Sequence, residues 1–336
     1  MKTIKNIQVP TGNILVVEGD KGYLEMLSLG DYGKDINIKC DALGITRDIE
    51  RVEHTRLMPL EDKWVITIST QYTCRMGCHF CDVPRVRCQP QYSTSINATE
   101  QDLIRQVLTG IKLHPEVVGT RRLNIHYARM GEPTWNPNVL DATKWFKTHI
   151  DPEYSIHPVV STMMPRNNEW LKVFIHTWMR MKNRLLQGEA GLQLSINSTD
   201  ETERLTMFNG NACTLEEIKA IMEGIIPNGR KITLNFAIAN WEINPVVLRK
   251  YFNPNDYIIK LTPMHKTKTA VARGIETTGD YTSIYPYKKI EEDLKNEGYD
   301  VLVFIASKEE DESLITCGNA ILSGRLPPTE LYKEII

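Results

Sequence analysis

The sequence predicts an α/β protein: a partial (β/α)6 barrel of the TIM type with a small β-rich N-terminal module. Three observations carry that expectation. From residue 65 onward, short apolar runs alternate with charged amphipathic stretches, the pattern of βα units around a parallel sheet. Six such runs occur before residue 265, two short of a closed eightfold barrel, so the barrel should be open. Residues 1–64 hold only short β-like runs separated by Gly and Asp, with no long amphipathic pattern.

In the N-terminal module the β-like runs are NILVVEG, GYLEMLSLG and INIKC. The barrel strands are VITIST (65–70), LNIHYA (123–128), IHPVVST (156–162), LQLSIN (192–197), ITLNFAIA (232–239) and YIIKLTPM (257–264). Helices are expected between them at 98–113, 137–149, 167–187, 214–225 and 245–252. Thr99 before Glu100 reads as a helix start, and Thr214 with Glu217 as a capping box. A further helix near 285–297 leads to a strand-like VLVFIA at 301–306. The expected division is 1–64, the β-rich module; 65–319, the barrel with a C-terminal extension carrying Cys317; and 320–336, a tail.

With 336 residues and 41% hydrophobic content, the chain can bury one large core. Its 40 Lys and Arg nearly balance its 42 Asp and Glu, so no global field draws a polyanion, and a nucleic-acid partner would need a local basic patch. The longest apolar runs are strand-length, which excludes a membrane-spanning helix, and MKTIKNIQVPTGN lacks a signal-peptide core. A cytoplasmic location is expected. Seven cysteines is an odd count, and the crowding of three into TCRMGCHFCD suits a metal site in a reducing compartment better than a disulfide framework.

Those three, Cys74, Cys78 and Cys81, are spaced C-x3-C-x2-C on a loop directly after the first barrel strand. Three thiolates can hold three corners of a 4Fe-4S cluster and leave the fourth iron open. The alternative is structural zinc with Cys88 or His79 as fourth ligand, in a non-catalytic nucleic-acid-binding module. The x3-then-x2 spacing is that of the radical S-adenosylmethionine (SAM) superfamily, and Phe80, just before the third cysteine, fits the same pattern.

Within that superfamily, residues 57–319 resemble the RlmN/Cfr family of adenine methyltransferases. LMP at 57–59 and ISTQYTC at 68–74 resemble its strand leading into the cluster, and RMGEPTWN at 129–136 its GMGEP motif. STMMP at 161–165, LSINS at 194–198, LTPMH at 261–265 and TCG at 316–318 resemble its STSG, SLHA, LIPxN and ACG segments, in the same order. The resemblance implies a 4Fe-4S cluster and SAM as cofactors, a radical SAM barrel, and a reductant such as flavodoxin or ferredoxin. It places Gly131 and Glu132 at the SAM amino group, and Ser161, Ser195 and Asn197 around its carboxylate and ribose. His265 stands where the family has an asparagine. Cys317 would be methylated by one SAM, and its carbon then transferred to an sp2 carbon of RNA adenine by a radical formed from a second.

Two departures bear on the chemistry. The family's resolving cysteine is replaced by Thr67, whose hydroxyl cannot form the disulfide that releases the product. His54 stands at the position of a proposed family base, a role histidine can also fill near neutral pH. The β-rich N-terminal region also differs from the helical RNA-binding domain that precedes the barrel in RlmN proteins. Together these keep open a radical SAM reaction on another nucleotide, a peptide or a metabolite. Arg75, Arg85 and Arg87 around the cysteine loop, and Lys260, Lys266, Lys268 and Arg273 after the last barrel strand, supply the local positive charge that RNA or a nucleotide would require.

Overall fold

The computed structural model describes residues 1–31, 57–86, 96–275 and 287–335. INIKC, Cys40, His54, Arg87 and Cys88 fall outside those residues.

One sheet of eleven strands organises the described chain. Strands β1 (Lys2–Val9), β2 (Gly12–Gly19) and β3 (Gly22–Leu29) form an antiparallel meander. β3 pairs antiparallel with β4 (Trp64–Ile68), so the N-terminal strands extend the same sheet. From β4 onward every neighbour is parallel: β5 (Thr120–Tyr127), β6 (Tyr154–Thr162), β7 (Gly191–Ser195), β8 (Ile232–Ile238), β9 (Tyr257–Pro263) and β10 (Asp300–Val303). The six expected barrel strands are therefore present, and the VLVFIA run supplies a seventh parallel strand. At the other edge the C-terminal β11 (Lys333–Ile335) pairs antiparallel with β1.

The crossovers carry α1 (Glu100–Lys112), α2 (Asn138–His149), α3 (Leu171–Arg184), α4 (Glu201–Met207), α5 (Leu215–Met222), α6 (Pro245–Tyr251), α7 (Lys268–Ala272) and α8 (Lys288–Asn296), and α9 (Lys308–Glu312) follows β10. Both expected helix starts close as full capping boxes, Thr99 with Asp102 and Thr214 with Glu217. Each such cap contributes about 1 kcal/mol. Asp102 also accepts from the Tyr72 hydroxyl at 2.7 Å and the Asp20 backbone N–H at 3.0 Å, tying the first crossover helix to the start of the cysteine loop and to the β2–β3 turn. No helix of the described residues is long and apolar enough to cross a membrane.

Strand alternation sorts the side chains between two faces. In β5, Leu123, Ile125 and Tyr127 are fully buried in the main core, while Asn124 and His126 turn to the opposite face. That opposite face, from Thr67 in β4 to Thr262 in β9, lines a single cavity, so the sheet curls around it as a partial barrel. Asn124, His126, Gln193, Asn235 and Lys260 place polar groups on the barrel's inner face among apolar lining residues such as Leu27, Val65, Met264 and Phe304, the mix by which a pocket encloses and orients a ligand.

Candidate active site

The barrel cavity has a volume of about 350 Å3. It brings together Cys74, Cys78, Phe80, Cys81, Gly131, Glu132, Ser161, Ser195, Asn197, His265 and Cys317. These come from the ends of β4 to β9 and from the C-terminal segment. Of the site residues expected from sequence only His54 is missing from this set, and it lies outside the described residues.

The cysteine loop is built to hold its thiols away from water. Met76, Cys78, Met207, Phe208 and Ala212 form a small apolar cluster against which Cys74, Phe80 and Cys81 pack. Phe80 meets Phe208 edge to face at 5.8 Å between ring centroids. The segment after α4 straps the loop down: His79 N–H donates to the Met207 carbonyl at 2.8 Å, and Asn211 Nδ2 to the Met76 carbonyl at 2.9 Å. Gly77, at φ +68°, lies so close that a Cβ there would sit 2.8 Å from Asn209 Nδ2.

All three thiols are free. Burial, and then the neighbouring thiols, push Cys74 and Cys78 well above the ordinary thiol range. Burial, opposed in part by an N–H from Val83, brings Cys81 to about 12. Three thiolates crowded on one loop, Cys78 buried and Cys74 and Cys81 half-buried, therefore require a cationic centre to stay deprotonated together. Among the described residues no group of three or more His, Cys, Asp and Glu side chains is gathered closely enough to hold a single metal ion. Three soft thiolates, a dry apolar wrapping and an adjoining cavity fit an iron–sulfur cluster with one open corner.

The turn Gly131–Glu132 faces the loop across the cavity. Gly131 adopts φ +100°, and a Cβ there would lie 2.7 Å from Gln71 Cβ and from Thr70 Oγ1, so only glycine fits. Glu132 is 1% exposed, yet its carboxylate is held by four donors: Thr134 N–H at 3.0 Å, Thr134 Oγ1 at 2.8 Å, Thr162 Oγ1 at 2.7 Å and Met163 N–H at 2.9 Å. Burial outweighs those bonds and raises its pKa. Such a carboxylate is rigid and gains from a cation placed beside it.

Ser161 and Ser195 sit at the ends of β6 and β7. Asn197, at φ +62°, accepts from Ala237 N–H at 3.0 Å, a side-chain link between the end of β7 and β8. Deeper in the lumen stand Thr67, Asn124, His126, Gln193 and Lys260, with the Lys63–Asp31 ion pair. Burial first, then the positive field of Lys260 and Lys63, lowers the pKa of His126 to about 3, so its imidazole is neutral at physiological pH.

Cys317 is exposed within the cavity on a segment anchored from three sides. Gly318 accepts from Asp82 N–H at 2.8 Å, joining the segment to the residue after Cys81. Asp311, buried, lies 3.2 Å from His265 Nδ1 and accepts from Thr316 Oγ1 at 2.8 Å, so His265 and the residue before Cys317 share one carboxylate. Buried Arg129 pairs with fully buried Glu25 and donates to the Leu314 carbonyl at 2.9 Å, while Glu25 accepts from Ile321 N–H at 3.2 Å and Leu322 N–H at 3.0 Å.

Sequence reasoning missed Glu25, Asp82, Arg129 and Asp311. Faint signals existed. Asp82 directly follows Cys81, Arg129 directly precedes Met130–Gly131, and Glu25 is the lone carboxylate of the otherwise apolar run LEMLSL.

No family model matches the chain. Over 90 residues it is 36% identical to the dual-specificity RNA methyltransferase RlmN of a Nitratiruptor species; the match spans 26% of this chain and 22% of that relative. Among solved structures, a radical SAM methyltransferase from Sphaerobacter thermophilus aligns with a TM-score of 0.61 at 14% identity, over 95% of this chain and 80% of that one. Streptococcus suis SuiB bound to S-adenosylmethionine aligns with a TM-score of 0.47 at 12% identity, over 76% of this chain and 55% of that one. The chain thus shares the fold of the Sphaerobacter enzyme, with its cysteine loop directly after the first parallel strand.

Proposed function

We propose that this chain is a radical SAM enzyme that methylates an sp2 carbon of an RNA base, adenine by its resemblance to RlmN, with Cys317 as methyl carrier. The observation that carries the reading is the convergence of Cys317, the three cysteines of the loop, and Gly131–Glu132 on one cavity. The 90-residue match to an RNA methyltransferase supports it.

Cys74, Cys78 and Cys81 would hold a 4Fe-4S cluster, which would supply the one-electron chemistry that cleaves SAM. The protein's own groups position and shield. Glu132, fixed by its four donors, would pair with the ammonium of the SAM methionine moiety, and Ser161, Ser195 and Asn197, which line the same cavity, would offer hydroxyl and amide groups to its carboxylate and ribose. Phe80 and the apolar cluster behind it exclude water from the thiolates. The Cys317 thiol, giving up its proton, would accept the methyl group of one SAM as nucleophile, with S-adenosylhomocysteine as leaving group. Asp311 fixes Thr316 beside Cys317, and His265 stands against the same carboxylate at the cavity wall. The enzyme works in the cytoplasm with flavodoxin or ferredoxin as reductant.

A second reading is favoured by one observation. Thr67 lines the cavity, and the cysteines lining it among the described residues are the loop triad and Cys317. A radical SAM reaction on a nucleotide, peptide or metabolite without a two-cysteine exchange fits that inventory.

Anaerobic reconstitution with iron and sulfide, followed by SAM and dithionite, tests the proposal. Brown protein releasing 5'-deoxyadenosine is expected, with both properties lost in Cys78→Ala. Loss of RNA methylation but not of SAM cleavage in Cys317→Ala would support the methyl carrier. Full product formation in that variant would transfer support to the second reading, and colourless zinc-loaded protein would refute both.

A further inference from the structure

Two cavities meet at the cysteine loop. Beside the barrel cavity lies an open groove of about 470 Å3, walled by Gly77, Pro84, Arg85, Asn209, Thr269 and Arg273. The residues common to both are Cys78 and Cys81. Cys317, Glu132 and the strand-end residues line the barrel cavity alone. The loop is thus a thin partition with the methylation machinery on one side and this groove on the other.

The groove's charged lining is basic. Arg85 and Arg273 are both exposed, and among the described residues no Asp or Glu lines the groove. The nearby carboxylate, Asp82, is 1% exposed and is occupied by Lys268 N–H at 3.0 Å, Thr269 N–H at 2.8 Å and Thr269 Oγ1 at 2.6 Å. Those bonds seat α7 against the cysteine loop, and α7 carries exposed Lys268 and Val271, the latter 63% exposed. The face therefore combines three cations with one apolar contact, directly over two of the cysteines.

Given the radical SAM reading above, the geometry points to this groove as the docking surface for an acidic one-electron carrier protein. One electron leaves the carrier's reduced flavin or iron–sulfur centre, which is oxidised, and is received at the centre held by the cysteines; no bond is made or broken between the proteins. An RNA strand could also use these cations, but its base must reach Cys317, which the groove does not touch. A carrier needs only brief contact with the outer side of Cys78 and Cys81. Small electrostatically steered encounters of this kind are typical of electron-transfer partners.

The test compares the reconstituted wild type with Arg85→Glu/Arg273→Glu and Arg85→Lys/Arg273→Lys. Binding of an acidic bacterial flavodoxin and of a short single-stranded RNA is measured at low and high salt, beside dithionite-driven SAM cleavage. The Glu pair should weaken flavodoxin binding about tenfold or more at low salt, with the difference shrinking at high salt. The Lys pair should bind as wild type, and dithionite-driven cleavage should be equal in all three. Wild-type flavodoxin binding by the Glu pair would overturn the inference, as would selective loss of RNA binding, or a matching fall in dithionite-driven cleavage. Absence of cleavage in the wild type would instead count against the radical SAM reading, and the flavodoxin comparison would still decide whether the groove binds the carrier.

Discussion

Replacing Arg129 by Met removes one half of a buried ion pair and frees the segment that carries Cys317. Arg129 donates to Glu25 through Nε at 2.9 Å and through Nη2, and to the Leu314 carbonyl at 2.9 Å. With Glu25 at 0% exposure, the variant leaves a carboxylate in the core supported only by the N–H groups of Ile321 and Leu322. Breaking a buried pair from one side costs about 3–5 kcal/mol, so a loss of about 4 kcal/mol is expected. In Glu25→Leu/Arg129→Met no charge is stranded, and the remaining cost is that of three unpaired backbone groups, the Ile321 and Leu322 N–H and the Leu314 carbonyl, about 3 kcal/mol at about 1 kcal/mol each. The double variant should therefore be more stable than Arg129→Met. Urea unfolding of the apoprotein measures both. Hydrogen exchange adds a local readout, since the Ile321 and Leu322 amides should exchange at least about tenfold faster in the double variant, which has lost their acceptor. Arg129→Met within about 1 kcal/mol of wild type, or a double variant no more stable than the single, would refute the reasoning.

The site makes further predictions. Gly131→Ala must force φ +100° on an L-residue and push a Cβ into Gln71 and Thr70, so it should cost about 1–3 kcal/mol in unfolding and weaken SAM binding measured by calorimetry. Glu132→Gln places an amide among four donors and removes the charge facing the SAM ammonium; SAM affinity should fall about 10- to 100-fold, with the iron content of the reconstituted protein retained. His126 titrates near 3 in the fold but near 6.5 when unfolded, so below pH 6.5 the unfolded chain binds the extra proton. Stability should thus fall as pH drops from about 6.5 towards 3, by up to about 1.4 kcal/mol per pH unit from this residue, and His126→Gln should flatten that slope in pH-dependent urea titrations.

Much of the barrel was legible because its strands are short, largely apolar runs bounded by turn residues, as in ITLNFAIA and YIIKLTPM. The cysteine loop was legible for another reason: three thiols at fixed spacing after a strand state their chemistry without tertiary information. β1 was not read as a strand. Its lysines and exposed residues hide the pattern, and it gains its place by pairing with β2 and with β11, more than 300 residues away. Three short helices were also missed. α4, α7 and α9 span 7, 5 and 5 residues, too short to show a period, although Ser307 with Glu310 is a capping box visible in the sequence. The Glu25–Arg129 pair joins positions 104 residues apart. Nothing local marks Arg129 as buried, because burial of a charge is decided by a distant partner.

The central claim is that the radical generator and a methyl-carrying Cys317 work in one cavity. Incubating reconstituted protein anaerobically with SAM labelled in its methyl group, then analysing the Cys317 peptide by mass spectrometry, tests it most directly. The account predicts labelled methyl on Cys317, with 5'-deoxyadenosine released on addition of reductant. An unmodified Cys317 peptide from protein that still cleaves SAM would contradict it.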